Sequence, residues 1–196
     1  MFSIAVFILS AAALLSIAGL SLFAFLRPGV EFWPPPNADG WQHGTFRLLF
    51  RVFFVGLLIL SFVDFGGARV VGWPYIIGIP LLLMGFGLAL YWTNYLGWRN
   101  AFGEADGLKT GGVYQWSRNP VYVVSIIGMI GWGLIVQSWW VNSLLATWAL
   151  LYVGAPFLEE PWLKKHYGQD FEQYKLDVPR FVRFRITNTR RDAGIR

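Results

Sequence analysis

Two polar stretches hold the residue types able to do chemistry in this chain: Gly107 to Tyr122 (GLKTGGVYQWSRNPVY) and, about forty residues further on, the carboxylate pair Glu159-Glu160. The first offers a glycine turn at Gly111-Gly112, an aromatic ring at Tyr114, a cation at Arg118 and a helix start at Asn119-Pro120, where asparagine can cap and proline has no amide to waste. The second offers two anions. The segment between them is apolar and long enough to cross a ~30 Å hydrocarbon layer and return at about 1.5 Å per residue, so both stretches lie on the same side. Together they predict a polar pocket at a membrane surface, suited to a small molecule that is polar and partly cationic. Taken singly, Arg118 is also what a snorkelling cation at a helix end looks like, and Glu159-Glu160 what an acidic helix start looks like. Their convergence is what points to a ligand.

The elements that must position these residues are membrane helices. Of 196 residues, 56% are hydrophobic and 14% charged, against about a quarter charged in an ordinary soluble domain. Apolar runs at Phe2 to Leu26, Phe46 to Phe65, Gly72 to Thr93, Pro120 to Val136 and Trp139 to Leu158 predict an all-α protein with five spans in a single membrane domain, residues 1 to 196, with a short helical tail from 159 onward. The first run lacks a basic leader and is read as a retained span. Tryptophan and tyrosine at the ends of the runs form an interfacial belt. With no cysteine, the chain has no disulfide, thiolate metal site or cysteine nucleophile, and nothing in its pattern predicts a metal.

Charge sets the expected orientation. Fifteen of the 16 Lys and Arg residues fall on the side of the 94 to 119 loop and the tail, with Arg69 alone on the other. The positive-inside rule then puts the tail in the cytoplasm and the amino terminus outside the inner membrane. The basic balance reflects topology and anionic lipid, and no basic stripe on a soluble domain suggests nucleic acid. Residues 27 to 45, with Pro34-Pro35-Pro36, read as a connector skimming the interface. Gly66-Gly67 turns the second span into the third, which Pro80 interrupts. Glycine pairs at 85 and 87 and at 131 and 133 read as helix-packing positions. Glu159-Glu160-Pro161 reads as the start of a new helix that Gly168 stops, Asp170 and Gln173 as a capping box, and the tail as a lid under the bundle, frayed beyond Arg183. His43 is placed in a loop and His166 on a solvated helix face.

The segments LKTGGVYQWSRNPVY and EEPWLKKHYGQDFEQYKLDVPRF resemble the isoprenylcysteine carboxyl methyltransferase and phospholipid methyltransferase family of integral membrane enzymes. The resemblance runs from Trp98 to Phe181, nearly half the chain. It implies S-adenosylmethionine as methyl donor and a lipophilic or membrane-partitioned acceptor, with a lipid amine, thiol or carboxylate as nucleophile. Carried over by motif, it nominates Arg99, Asp106, Gly107, Leu108, Lys109, Tyr114, Asn119, Pro120, Val121, Tyr122 and Glu159 for the cofactor. Arg118, Glu160 and Tyr174 are the candidates for catalytic work, the last two in proton removal. The chemistry is compatible: carboxylates suit a ligand with an ammonium and a sulfonium, and tyrosines give it aromatic walls.

Two positions depart from the pattern. The eukaryotic isoprenylcysteine enzymes have histidine at Asn119 and a substrate-binding arginine at Ala155; without that cation a prenylcysteine carboxylate loses a partner, for which Arg118 and Arg180 are the available substitutes. A sterol-reductase-like, NADPH-dependent membrane enzyme and a non-catalytic membrane carrier or assembly protein are the alternative readings. The oligomeric state stays open.

Overall fold

The computed structural model describes residues 1–27, 29–35, 39–65 and 71–182. Among these residues, six α-helices and one 3-10 turn follow in order: α1 (Phe2–Leu26), α2 (Trp41–Asp64), α3 (Trp73–Leu96), α4 (Trp98–Ala101), the turn Gly112–Gln115, α5 (Pro120–Val136) and α6 (Trp139–Asp177). No strand occurs among the described residues. Helices α1, α2, α3 and α6 are long and apolar enough to cross a membrane, and α5 is a shorter apolar helix. Five apolar helices thus cover the five predicted runs, four of them long enough to span, with α2 starting earlier and both α3 and α6 ending later than their apolar runs alone suggest. The turn at Gly66-Gly67, Arg69 and the segment beyond Arg183 lie outside the described residues.

The helices pair before they bundle. α1 packs on α2 and α3 on α5, and α6 joins the two pairs. Lipid tails are as apolar as the side chains they would solvate, so association depends on close backbone approach. The α3–α5 seam shows this: a Cβ on Gly85 would stand 2.3 Å from the Gly128 amide nitrogen, and one on Gly131 would stand 2.4 Å from that of Leu82. The packing role read for these two glycines holds. Gly87 has open space instead. Between α1 and α2, Gly56 makes room for Ser10. The core at the centre gathers Leu14, Phe53, Leu57, Leu60, Met129, Val141, Leu144 and Trp148.

Three local expectations are corrected. Glu159-Glu160-Pro161 starts no helix: α6 continues through both Pro156 and Pro161 and breaks only at Gly168 (φ 52°, ψ −122°). A proline inside a membrane helix is tolerated where neighbouring elements hold the freed backbone, and here both glutamates are tied laterally. Gln173 donates to Asp177 rather than closing a capping box with Asp170. His43 lies inside α2 and is buried, near the Phe102 ring, rather than in a loop. The lid does form. After Gly168 the last turns of α6 bury Phe171 and Tyr174 against Tyr114 and Val178, with Leu96, Leu108 and Leu163 around them.

Candidate active site

Glu159 is the centre of one cluster. Its Oε1 accepts from the Tyr122 hydroxyl at 2.5 Å and from the Trp33 indole at 3.0 Å. The three residues come from three parts of the chain: Glu159 from α6, Tyr122 from the first turn of α5 and Trp33 from the 29–35 segment. Trp33 also stacks on Phe46 of α2 (centroids 4.2 Å apart), and Tyr122 leans on Tyr152 of α6 (4.7 Å). The loop between α1 and α2 is therefore part of the site and not a plain connector. Two directed hydrogen bonds in an aromatic wall fix where the carboxylate points.

One residue on, Glu160 holds two arginines. Arg180 grips it with both ends of its fork, Nε to Oε1 at 2.7 Å and Nη2 to Oε2 at 2.6 Å, while Arg118 Nη2 reaches Oε1 at 3.0 Å. The Arg180 guanidinium also lies over the Phe157 ring, 3.9 Å from its centroid. The chain leaving α6 closes on the 117–119 corner: the Arg118 amide donates to the Pro179 carbonyl (3.0 Å) and the Asn119 side chain to that of Arg180 (2.9 Å). Asn119 thus staples the tail instead of capping α5 with its side chain, although Pro120 does occupy the first turn as expected. Burial pushes the Arg118 guanidinium below its usual pKa, with Glu160 pulling the other way; the hydrogen bond to Glu160 pushes that of Arg180 up. Burial also raises the Tyr114 hydroxyl.

Two cavities meet here. The larger, about 370 Å³, lies between α2, α3, α5 and α6 and reaches from the Trp33–Phe46 wall to Phe102 and Trp162. The smaller, about 80 Å³, is bounded by Gly107, Leu108, Lys109 and the lid residues Phe171 and Tyr174. Tyr114, Arg118, Asn119 and Glu159 line both. A volume of some hundreds of Å³, mostly apolar with a few converging polar groups, is what a small-molecule site requires.

A family model described as phospholipid methyltransferase matches residues 73–170, half of the chain. The chain belongs to the phospholipid methyltransferase family. It is 29% identical over 129 residues to the cobalt-zinc-cadmium resistance protein CzcN of Cupriavidus metallidurans, a match covering 63% of this chain and 57% of that relative's length. No solved structure matches it. The apolar helices and the family together make it a membrane protein of a methyltransferase family.

Within this family member, the residues singled out from sequence fall into three groups. Tyr114, Arg118, Asn119, Val121, Tyr122 and Glu159 face the larger cavity; Gly107, Leu108, Lys109, Glu160 and Tyr174 face the smaller. Arg99, Asp106 and Pro120 line neither. Arg99 is exposed and pairs with Glu104 (2.8 Å) and Asp106 (3.8 Å), which holds its pKa up, and Pro120 is buried as the first residue of α5. The Tyr174 hydroxyl is bound to the Tyr114 carbonyl at 2.7 Å, and both Glu160 oxygens are taken by arginines. The sequence does not single out Trp33, Phe46 or Phe50, which line the larger cavity, and it offers Arg180 only as a substitute cation for a substrate carboxylate. Trp33 lies outside both the family match and the segments that carry the resemblance, so motif reading could not reach it, whereas Arg180 lies within the quoted tail segment, just beyond the family match.

Proposed function

We propose that the chain is an S-adenosylmethionine-dependent methyltransferase of the inner membrane, acting on a lipophilic acceptor that carries an amine, thiol or carboxylate. The observation that carries this reading is that the two adjoining cavities share the half-buried Glu159 carboxylate and the Arg118 guanidinium, whose buried Nε and Nη1 have no hydrogen-bond partner. Charged groups held in place without full partners suit a small ligand with charges of both signs. S-adenosylmethionine fits that donor set. When bound, it would supply a methyl group on a sulfonium, which passes in line to the acceptor atom as the sulfur leaves as the neutral thioether of S-adenosylhomocysteine.

The residues of this chain supply placement. Trp33 and Tyr122 aim Glu159 at the cationic end, Tyr114, Tyr122 and Tyr152 form aromatic walls, and the lid around Phe171 shields the smaller cavity from water. Glu160 and Tyr174 support the site: one neutralises part of the arginine charge and the other ties the lid to Tyr114. The acceptor's apolar part has a place beside them, in a further cavity of about 140 Å³ between α1, α2 and α6. Trp33, Phe46, Phe50, Tyr122 and Tyr152 line it and the larger cavity alike.

The test is transfer of labelled methyl from S-adenosylmethionine to amphiphiles bearing an amine, a thiol or a carboxylate, with the purified protein in liposomes. Label in the lipid phase supports the reading. No transfer to any of the three classes contradicts it.

A further inference from the structure

The apolar cavity of about 140 Å³ between α1, α2 and α6 has, among the described residues, no charged side chain on its wall. The five residues it shares with the larger cavity, Trp33, Phe46, Phe50, Tyr122 and Tyr152, are all aromatic. They stand as paired rings, Trp33 on Phe46 at 4.2 Å and Tyr122 against Tyr152 at 4.7 Å, while Trp148 meets Phe50 and Tyr152 edge to face. One cavity therefore joins the other through a collar of ring faces and edges. On its far side the wall turns small, with Ala18 on α1 and Gly154 and Ala155 on α6. There it opens toward lipid: Leu150, one helical turn before Gly154, is 71% exposed, and a Cβ on Gly154 would meet no atom within 4 Å.

Size and lining then decide what fits. An apolar protein cavity of about 150 Å³ holds one benzene. A rigid ring fills such a space and can meet the collar offset-stacked or edge to face, the arrangements that aromatic pairs prefer. A saturated chain has no ring to offer those faces, and a two-chain lipid must leave most of its apolar surface outside. We propose that this cavity seats the apolar body of the methyl acceptor and that this body is a single aromatic ring, so that the acceptor is a small arylalkyl amine, thiol or carboxylate and not a two-chain phospholipid. This rests on the methyltransferase reading and narrows its acceptor. The nucleophile, on a short alkyl arm, crosses the collar into the larger cavity while the ring stays on the lipid side. An amine or thiol releases one proton as it gains the methyl, and a carboxylate releases none.

Photolabelling of the detergent-purified full chain with 3-(4-azidophenyl)propylamine, mapped by mass spectrometry, tests the seat without requiring catalysis. Label is expected on residues 14–21 and 148–158, competed away by 3-phenylpropylamine and left in place by dioleoylphosphatidylethanolamine at the same mole fraction. Gly154→Phe crowds the lipid-side opening and is expected to cut this label about tenfold, whereas Gly154→Ala keeps most of it. Competition is read on the wild type, so the test survives a Gly154→Phe that fails to fold. Label spread over the exposed residues of α3 instead, equal competition by the phospholipid, or undiminished label in a folded Gly154→Phe overturns the proposal. Transfer of labelled methyl separates the two claims. Methyl on phosphatidylethanolamine but on none of 3-phenylpropylamine, 3-phenylpropanethiol and 3-phenylpropanoate overturns this inference alone. Ring-specific label with no methyl transfer to any acceptor overturns the methyltransferase reading and leaves only a ring-binding site.

Discussion

Tyr122 donates its hydroxyl to Glu159 Oε1 across 2.5 Å, joining the first turn of α5 to the middle of α6. Because Trp33 donates to the same oxygen, the carboxylate is aimed before any ligand arrives. Substitution should separate aim from charge. Glu159→Gln keeps volume and acceptor while removing charge, and is expected to lower affinity for S-adenosylhomocysteine by roughly ten- to a hundredfold with little change in melting temperature. Tyr122→Phe removes one aiming bond and is expected to cost about three- to tenfold. A melting point lowered by Glu159→Gln at unchanged affinity would make Glu159 a structural residue only.

Glu160 should behave in the opposite way. Removing the partner of a largely buried cation costs about 3 kcal/mol or more, because the charge left behind has lost its solvation and its pair. Glu160→Ala leaves Arg118 in that position and unties Arg180 from the middle of α6. Thermal unfolding in detergent is expected to show a drop of several degrees, smaller for Glu160→Gln. An unchanged transition in Glu160→Ala would show that the cluster contributes nothing to the fold.

The α3–α5 seam gives a matched pair of variants. Gly85→Ala places a methyl against the Gly128 backbone, where nothing can move aside cheaply, whereas Gly87→Ala meets no atom within 4 Å. Overpacking of this kind costs about 1–3 kcal/mol. Gly85→Ala should lower the melting temperature and Gly87→Ala should not. Equal behaviour of the two would show that the helices are not packed as closely as described.

Reporter fusions at residues 68, 105, 138 and 190 test the orientation. The loop holding Trp98 to Gly112 shares a face with Trp33 and Arg180, while Asp64 and Ser138 meet on the opposite face, joined by a hydrogen bond. Cytoplasmic signals are expected at 105 and 190 and external signals at 68 and 138. The reverse pattern would invert the topology.

Much of this was legible because membrane helices announce themselves by length and hydropathy, and because Asn119-Pro120 and Gly168 are backbone signals that need no tertiary context. The convergence of Arg118 with Glu160 followed from simple counting across the bilayer. What stayed hidden depended on side-chain direction. Glu159-Glu160-Pro161 has the composition of a helix start, and only the lateral grip of Trp33, Tyr122, Arg118 and Arg180 shows why it sits inside a continuous helix. Trp33 lies 126 residues from the carboxylate it contacts, in a loop whose sequence reads as a spacer. Arg99 and Asp106 matched the motif by position, yet they pair with each other at the surface.

The most direct measurement is calorimetry on the detergent-purified chain with S-adenosylhomocysteine in one titration and NADPH in another. The Arg118 guanidinium, whose Nε and Nη1 have no hydrogen-bond partner, and the Glu159 carboxylate suit the two opposite charges at the amino-acid end of the first, whereas the Glu159 carboxylate disfavours the phosphates of the second. Saturable binding of S-adenosylhomocysteine, lost in Glu159→Gln, with none of NADPH, is the expected result. Binding of NADPH without S-adenosylhomocysteine would contradict the account.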